Sequence, residues 1–349
     1  MRWRKLWKIL IIAGGGPLVG VTWLRGVGPK PSLPSPSFSS WAVYWDDINA
    51  ERSFTAHGRD LEEVAVFAYH FDTSGNLIPG NNRLIPLTRW IQEHLPEPRP
   101  RTLLTLVNDI ALSSGSLRLK DAVCVHQAIT APAARAEHIR QILALSEGVD
   151  GIDVDYERID MADREAFSVF IQELGTALHA RKKWLSVVVE PRPGAIDWAA
   201  ILPFVDRIKV MAYLYHYGSS APGSIAPTSW VSELAENSLK IIPPDKLCMV
   251  LHLGGFDWPE GTPGRSIEYS QAAMLASVHD ETFHKDADTG SAYFDYSDKN
   301  VLHHVWIEEA SGLKLKIQAL QKLGIVHVGF WRLGTGDPAL WESQVPISL

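Results

Sequence analysis

A (β/α)8 barrel with a small α+β insertion between strands seven and eight is the fold this sequence predicts. Eight short apolar runs recur along the 349 residues, each suited to a buried strand. Helix-patterned segments separate several of them, which points to parallel sheet, and a count of eight favours a closed barrel over an open sheet. Several runs also end on polar or aromatic residues, at the strand ends where a barrel presents its ligand-binding face.

In order, the predicted strands cover 41–45, 63–69, 102–107, 150–157, 185–189, 206–213, 247–253 and 326–331. The second ends in His70 and Asp72, the third at Asn108-Asp109, the fifth at Glu190-Pro191. A helix is expected over 132–146, with Ile139, Ile142 and Leu143 on one face. The segment 163–181 is more plainly amphipathic, carrying Phe167, Phe170, Ile171, Leu174 and Leu178 at helical spacing. Further helix-like segments fall at 231–239 and 313–323. Residues 257–306 are too many for one loop and helix. Tyr293, Phe294, Tyr296 and Trp306 within them argue for a packed subdomain forming one wall of a cleft.

The fourth run, Asp150-Gly151-Ile152-Asp153-Val154-Asp155-Tyr156-Glu157, carries the chemistry. Ile152, Val154 and Tyr156 alternate with Asp153, Asp155 and Glu157, so the three carboxylates share one face of a strand. Neighbours two apart are about 6.6–7 Å from each other along a strand. Acids that close repel, and at least one should keep a proton near neutrality. A protonated carboxylic acid at a strand end, beside ionised partners, suits general acid catalysis. Calcium loops normally carry glycine inside the run and do not hold β alternation. Asp150 has the wrong parity to face inward and is assigned, with Gly151, a structural role.

Composition narrows the class. The chain is 46% hydrophobic and 21% charged, enough for a large core, and its 33 basic against 40 acidic residues give a net charge of −7. No basic stripe suggests nucleic acid. Two cysteines, Cys124 and Cys248, make no disulfide framework. His303-His304 has no partner spacing for a metal, so neither metal nor cofactor is expected. Arg2, Arg4, Lys5 and Lys8 precede an uncharged run over 9–24, the pattern of a signal peptide or signal anchor (1–28). Pro29, Pro31, Pro34 and Pro36 mark a linker over 29–39. A monomeric domain at 40–349, outside the cytoplasmic membrane and either secreted or anchored through 1–28, is the expectation.

The spacing of Asp150, Asp153, Asp155 and Glu157 resembles the DxxDxDxE signature of glycoside hydrolase family 18. Met211-Ala212-Tyr213 is similar to that family's sixth-strand motif. Pro222-Gly223-Ser224-Ile225-Ala226-Pro227, the stretch from Tyr293 to Trp306, and Trp331-Arg332-Leu333-Gly334 resemble the bacterial branch that includes spore cortex-lytic N-acetylglucosaminidases. The likeness runs over about 40–341. It implies a retaining glycosidase acting on N-acetylglucosamine polymers, chitin-like or peptidoglycan-like, by substrate-assisted catalysis. Glu157 would be the general acid and base, Asp155 would orient the substrate acetamide, and Asp153 would share a proton with Asp155. Tyr213 would donate to the acetamido oxygen and Trp331 would floor the sugar. Tyr44, Trp45, Tyr215, His216 and Trp258 are candidates for further subsites. Leu214 stands where the family often has an acid.

Two other readings remain open at this stage. A carbohydrate-binding protein on an inactive barrel would have no need to keep three repelling acids on one strand. A two-carboxylate glycosidase would pair Glu157 with Glu190.

Overall fold

The computed structural model describes residues 35–342 apart from 81–83, 96 and 192–193. The predicted signal or anchor and the linker residues before 35 lie outside the described residues. Eight parallel strands form the frame: β1 (Ser37–Val43), β2 (Leu61–Phe71), β3 (Arg101–Ala111), β4 (Gly151–Asp155), β5 (Trp184–Val189), β6 (Arg207–Met211), β7 (Leu247–His252) and β8 (His327–Trp331). Each pairs with the next, and β8 pairs with β1, so the sheet closes on itself.

Alternation along each strand divides the side chains between two cores. Ile152, Val154, Val187, Ile208 and Val210 point out against the helices, where they meet Phe167, Phe170, Ile171 and Leu174 of the helix Arg164–His179. Trp41, Val43, Ala65, Phe67, Leu103, Val107, Val188, Met211, Cys248 and Val250 fill the barrel itself. Both cysteines are buried and free.

β1 begins at Ser37, inside the stretch read as linker. The serines that disguise it are buried partners: Ser40 Oγ donates to Phe330 O at 2.8 Å, and Ser39 Oγ lies 3.8 Å from Cys248 Sγ. Helices Asp47–His57, Ile85–His94 and Ala122–Ile129 also escape the sequence reading. The first buries only Ala50 and Phe54, too thin a stripe to register as periodic.

Between β7 and β8 stands a five-stranded antiparallel sheet made of Arg265–Ile267, Gly255–Pro259, Val301–Ile307, Ala292–Asp298 and His284–Lys285. With the helix Tyr269–Val278 it has its own small core around Ala272, Phe294, Tyr296 and Val305. His303 and His304 belong here, each held by an acid: His303 Nδ1 is 2.8 Å from Asp257 Oδ1, His304 Nδ1 2.9 Å from Asp295 Oδ1.

Candidate active site

The site is built upward from the barrel interior. Register places Thr105 of β3 and Ser186 of β5 on either side of Asp153. Thr105 Oγ1 donates to Asp153 Oδ2 at 3.1 Å, as does Trp41 Nε1 at 2.9 Å, while Ser186 Oγ donates to Oδ1. Lys209 of β6 adds its ammonium to Oδ1 at 2.8 Å. Lys209 also stands 2.7 Å from Glu63 Oε1, a meeting of charges inside the barrel. Four polar groups thus surround the two oxygens of Asp153 and fix its side chain in the barrel interior.

One layer higher, Asp155 is 5% exposed, and its Oδ1 is buried without a donor from the protein. Burial, with Glu157, Asp153 and Asp109 nearby, raises its proton affinity above the usual carboxylate range; Lys120 opposes this. Glu157 sits two residues past the end of β4, partly open to solvent. Its backbone is clamped by Asn108: Glu157 N donates to Asn108 Oδ1 at 3.0 Å, and Asn108 Nδ2 donates to Glu157 O at 2.8 Å. Lys120 Nζ lies 2.5 Å from Glu157 Oε1 and 3.8 Å from Asp155 Oδ2.

Above the acids opens a cleft of about 490 Å3. Its lining includes Asp155, Glu157, Tyr213, Leu214 and Trp331, with Tyr44, Trp45 and Phe67 as aromatic wall. Trp331 packs 5.9 Å from Trp41, 5.5 Å from Phe67 and 6.5 Å from Trp45. Burial and the two acids raise the Tyr213 phenol well above its ordinary value, so it stays a donor. Leu214 is held at φ 77°, a conformation that costs a branched side chain energy, and it points its apolar group at the cleft.

Other predicted residues fall elsewhere. Tyr215 and His216 are absent from the cleft lining; Tyr215 packs on Trp230 and His216 Nδ1 is 2.9 Å from Ala221 O. Trp258 is buried against Phe256, and Glu190 at the end of β5 does not line the cleft. Asp150 sits at the opposite end of the barrel, taking Arg99 at 2.7 and 3.0 Å and the Thr102 amide at 2.8 Å. Gly151 beside it has no room for a side chain, since a Cβ would come 2.3 Å from Trp184 O. A concavity of about 500 Å3 at that end is ringed by charges such as Arg99 and Asp150, already paired to each other. It lies at the face of a barrel that serves stability.

Lys120, Lys209, Glu63 and the clamp by Asn108 escape sequence reasoning. Lys209 left a trace: in Arg207-Ile208-Lys209-Val210-Met211 the charges occupy the parity that faces inward. Lys120 left none, since it reaches the cleft from a loop.

Behind β4, His138 is 3% exposed and shares a hydrogen bond of 2.9 Å with Tyr156 OH. Burial lowers its pKa from 6.5 to about 4. The unfolded chain therefore binds a proton that the folded one refuses, so stability is full above pH 6.5 and drains away as pH falls through about 4. The loss from this one group is on the order of 3 kcal/mol. Urea titrations at pH 7.5 and 4.5 should show it, and His138→Phe should flatten the difference; an unchanged difference would clear His138.

A barrel with an acid pair at the carboxyl end of β4, an aromatic-lined cleft above it and a phenol beside it defines a glycosidase-type site. The family model for glycosyl hydrolases family 18 matches residues 125–336, more than half of the chain, and the chain belongs to that family. It is 26% identical over 294 residues to the putative sporulation-specific glycosylase YdhD of Bacillus subtilis (strain 168), covering 80% of this chain and 67% of that protein. It is 27% identical over 209 residues to the cortical fragment-lytic enzyme of the same organism, covering 56% of this chain and 48% of the relative. The chain thus spans about half the length of that enzyme. Among solved structures, the Bacillus cereus spore cortex-lytic enzyme SleL matches with a TM-score of 0.78 at 23% identity, over 90% of this chain and 74% of that one. A chitinase from Chromobacterium violaceum ATCC 12472 matches with 0.76 at 22%, over 88% and 97%. These two likenesses carry the fold.

Proposed function

We propose that this protein is a retaining glycoside hydrolase that cleaves β-linked N-acetylglucosamine polymers by substrate-assisted catalysis. Glu157 gives its proton to the glycosidic oxygen, and the acetamido oxygen of the substrate closes on the anomeric carbon to form an oxazolinium ring. The bond to the leaving sugar breaks as that ring forms. Water then opens the ring, with the Glu157 carboxylate taking the water's proton. Asp155 accepts the acetamide N–H and balances the charge on its nitrogen, while Tyr213 donates to the acetamide oxygen.

The observation that carries this reading is Asp155 Oδ1, a buried acceptor without a protein donor, next to the acid and on the cleft wall. Leaving such an oxygen unpaired is costly, and an acetamide N–H would satisfy it. The names of the relatives, a cortical fragment-lytic enzyme and a sporulation-specific glycosylase, favour a peptidoglycan glycan over chitin. Action outside the cytoplasmic membrane, by a monomer, is part of the same proposal.

Substrate choice tests it. Oligomers of N-acetylglucosamine should be cut and a thiazoline analogue of the oxazolinium should inhibit, whereas the same oligomers without the acetyl group should be inert. Equal turnover of the deacetylated oligomers would favour a two-carboxylate enzyme and end the substrate-assisted reading.

A further inference from the structure

The loop after β3 delivers a cation to the middle of this site, and the chemistry proposed above does not call for one. Residues 110–118 form a short hairpin, with Ile110 opposite Arg118 and Ala111 opposite Leu117, and Lys120 follows it. The position of Lys120 is fixed from both sides. Its own amide donates to Asp109 Oδ1 at 2.9 Å, and the next amide, of Asp121, donates to Asn108 O at 2.8 Å. Asn108 is also the residue whose side chain clamps the Glu157 backbone, and its Nδ2 reaches Asp121 O at 3.3 Å. One amide thus ties the loop carrying the cation to the segment carrying the acid. Lys120 holds φ 53°, a left-handed conformation that an unbranched lysine tolerates only where its surroundings enforce it.

The side chain ends 2.5 Å from Glu157 Oε1 and 3.8 Å from Asp155 Oδ2, with 19% of its surface exposed. It lines the cleft together with Asp109, Asp155 and Glu157, and the Phe67 ring of β2 lies 5.8 Å from its Nζ. Tyr213, two residues past β6, faces the same acids, and Tyr44, just past β1, and His70 of β2 feel the charge of Asp109. Against three acids, Lys120 is the cation of the cleft lining among the described residues.

We infer that Lys120 is a positioning residue for the acid–base pair: its ammonium holds Glu157 in the cleft mouth and stabilises the carboxylate that remains when the proton leaves for the glycosidic oxygen. This rests on the reading of Glu157 as the acid. An ammonium at this distance favours the ionised carboxylate over the acid, so its removal is expected to move the pH dependence of activity upward.

The test is Lys120→Met, with Lys120→Gln as a second neutral variant should the first not fold, and Lys120→Arg as the conservative one. The alkaline limb of the kcat/KM profile on an N-acetylglucosamine oligomer should move upward by about one pH unit in both neutral variants and return toward wild type with arginine. A carboxyl-carbon NMR titration of Glu157, which needs no turnover, should show its midpoint rising by a similar amount. Loss of amplitude with both midpoints in place would make Lys120 structural, and a raised KM with both in place would make it a substrate contact; either result overturns the inference. A wild type without turnover whose Glu157 midpoint still moves in the variants would reject the proposed function and leave the lysine's hold on Glu157 standing.

Discussion

Glu157→Gln is expected to lower kcat on an N-acetylglucosamine oligomer by about 10² to 10⁴-fold, with the fold unchanged. The amide keeps the shape of the carboxyl group and its place beneath the cleft, so binding should survive. It has no acidic proton to release to the leaving oxygen and cannot take one from water. Its neighbour Lys120, 2.5 Å from Glu157 Oε1 in the native protein, then keeps only the weaker pairing to Asp155 Oδ2 at 3.8 Å. Steady-state kinetics with circular dichroism as the folding control decide the matter. A variant within tenfold of wild type would take the acid–base role away from Glu157.

The second large effect lies deeper. Lys209→Met is expected to cost about 3–5 kcal/mol of stability, the usual result of removing one partner from a buried ion pair. Lys209 is 1% exposed, and both Asp153 and Glu63 rely on it. Without the ammonium, Asp153 keeps Thr105, Ser186 and Trp41 but loses its counter-charge. Adding Glu63→Gln should recover part of the loss, since one uncompensated charge then remains instead of two. The deficit also has a sign in pH. Losing the ammonium disfavours the ionised form of the buried acids it faced, so the penalty is smallest in acid and grows as pH rises. Denaturant unfolding at pH 5 and 8 reads both effects; a loss below 1 kcal/mol would mean the barrel interior carries these charges without need of the lysine.

Both variants probe the same design from opposite ends. Asp153 is pinned by the barrel floor, Asp155 is the buried member with a free acceptor, and Glu157 is the one that reaches the cleft. Lysines therefore relieve repulsion at the two ends of the row, and between them Asp155 has its proton affinity raised above the usual carboxylate range. Lys209 meets the innermost acid and Lys120 the outermost.

What the sequence by itself determined is what local periodicity can carry. The eight strands, the acidic run on β4, its inward parity and the outward Ile152, Val154 and Tyr156 all follow from alternation of side chains along a strand. The outlying position of Asp150 follows from the same parity. Trp331 and Tyr213 were legible because strand ends converge on one face of a barrel. Only the tertiary structure decided which groups meet from distant parts of the chain. Lys209 lies 56 residues from Asp153 and joins it because β4 and β6 face one interior. Asn108 reaches Glu157 across 49 residues. Lys120 leaves no periodic signal, since a loop obeys no period, and its charge becomes meaningful only where hydrogen bonds from β3 fix it against Glu157. The same reason removed Tyr215, His216, Trp258 and Glu190 from the cleft: nearness to a strand end sets the neighbourhood, and packing then decides which side chains turn toward the opening.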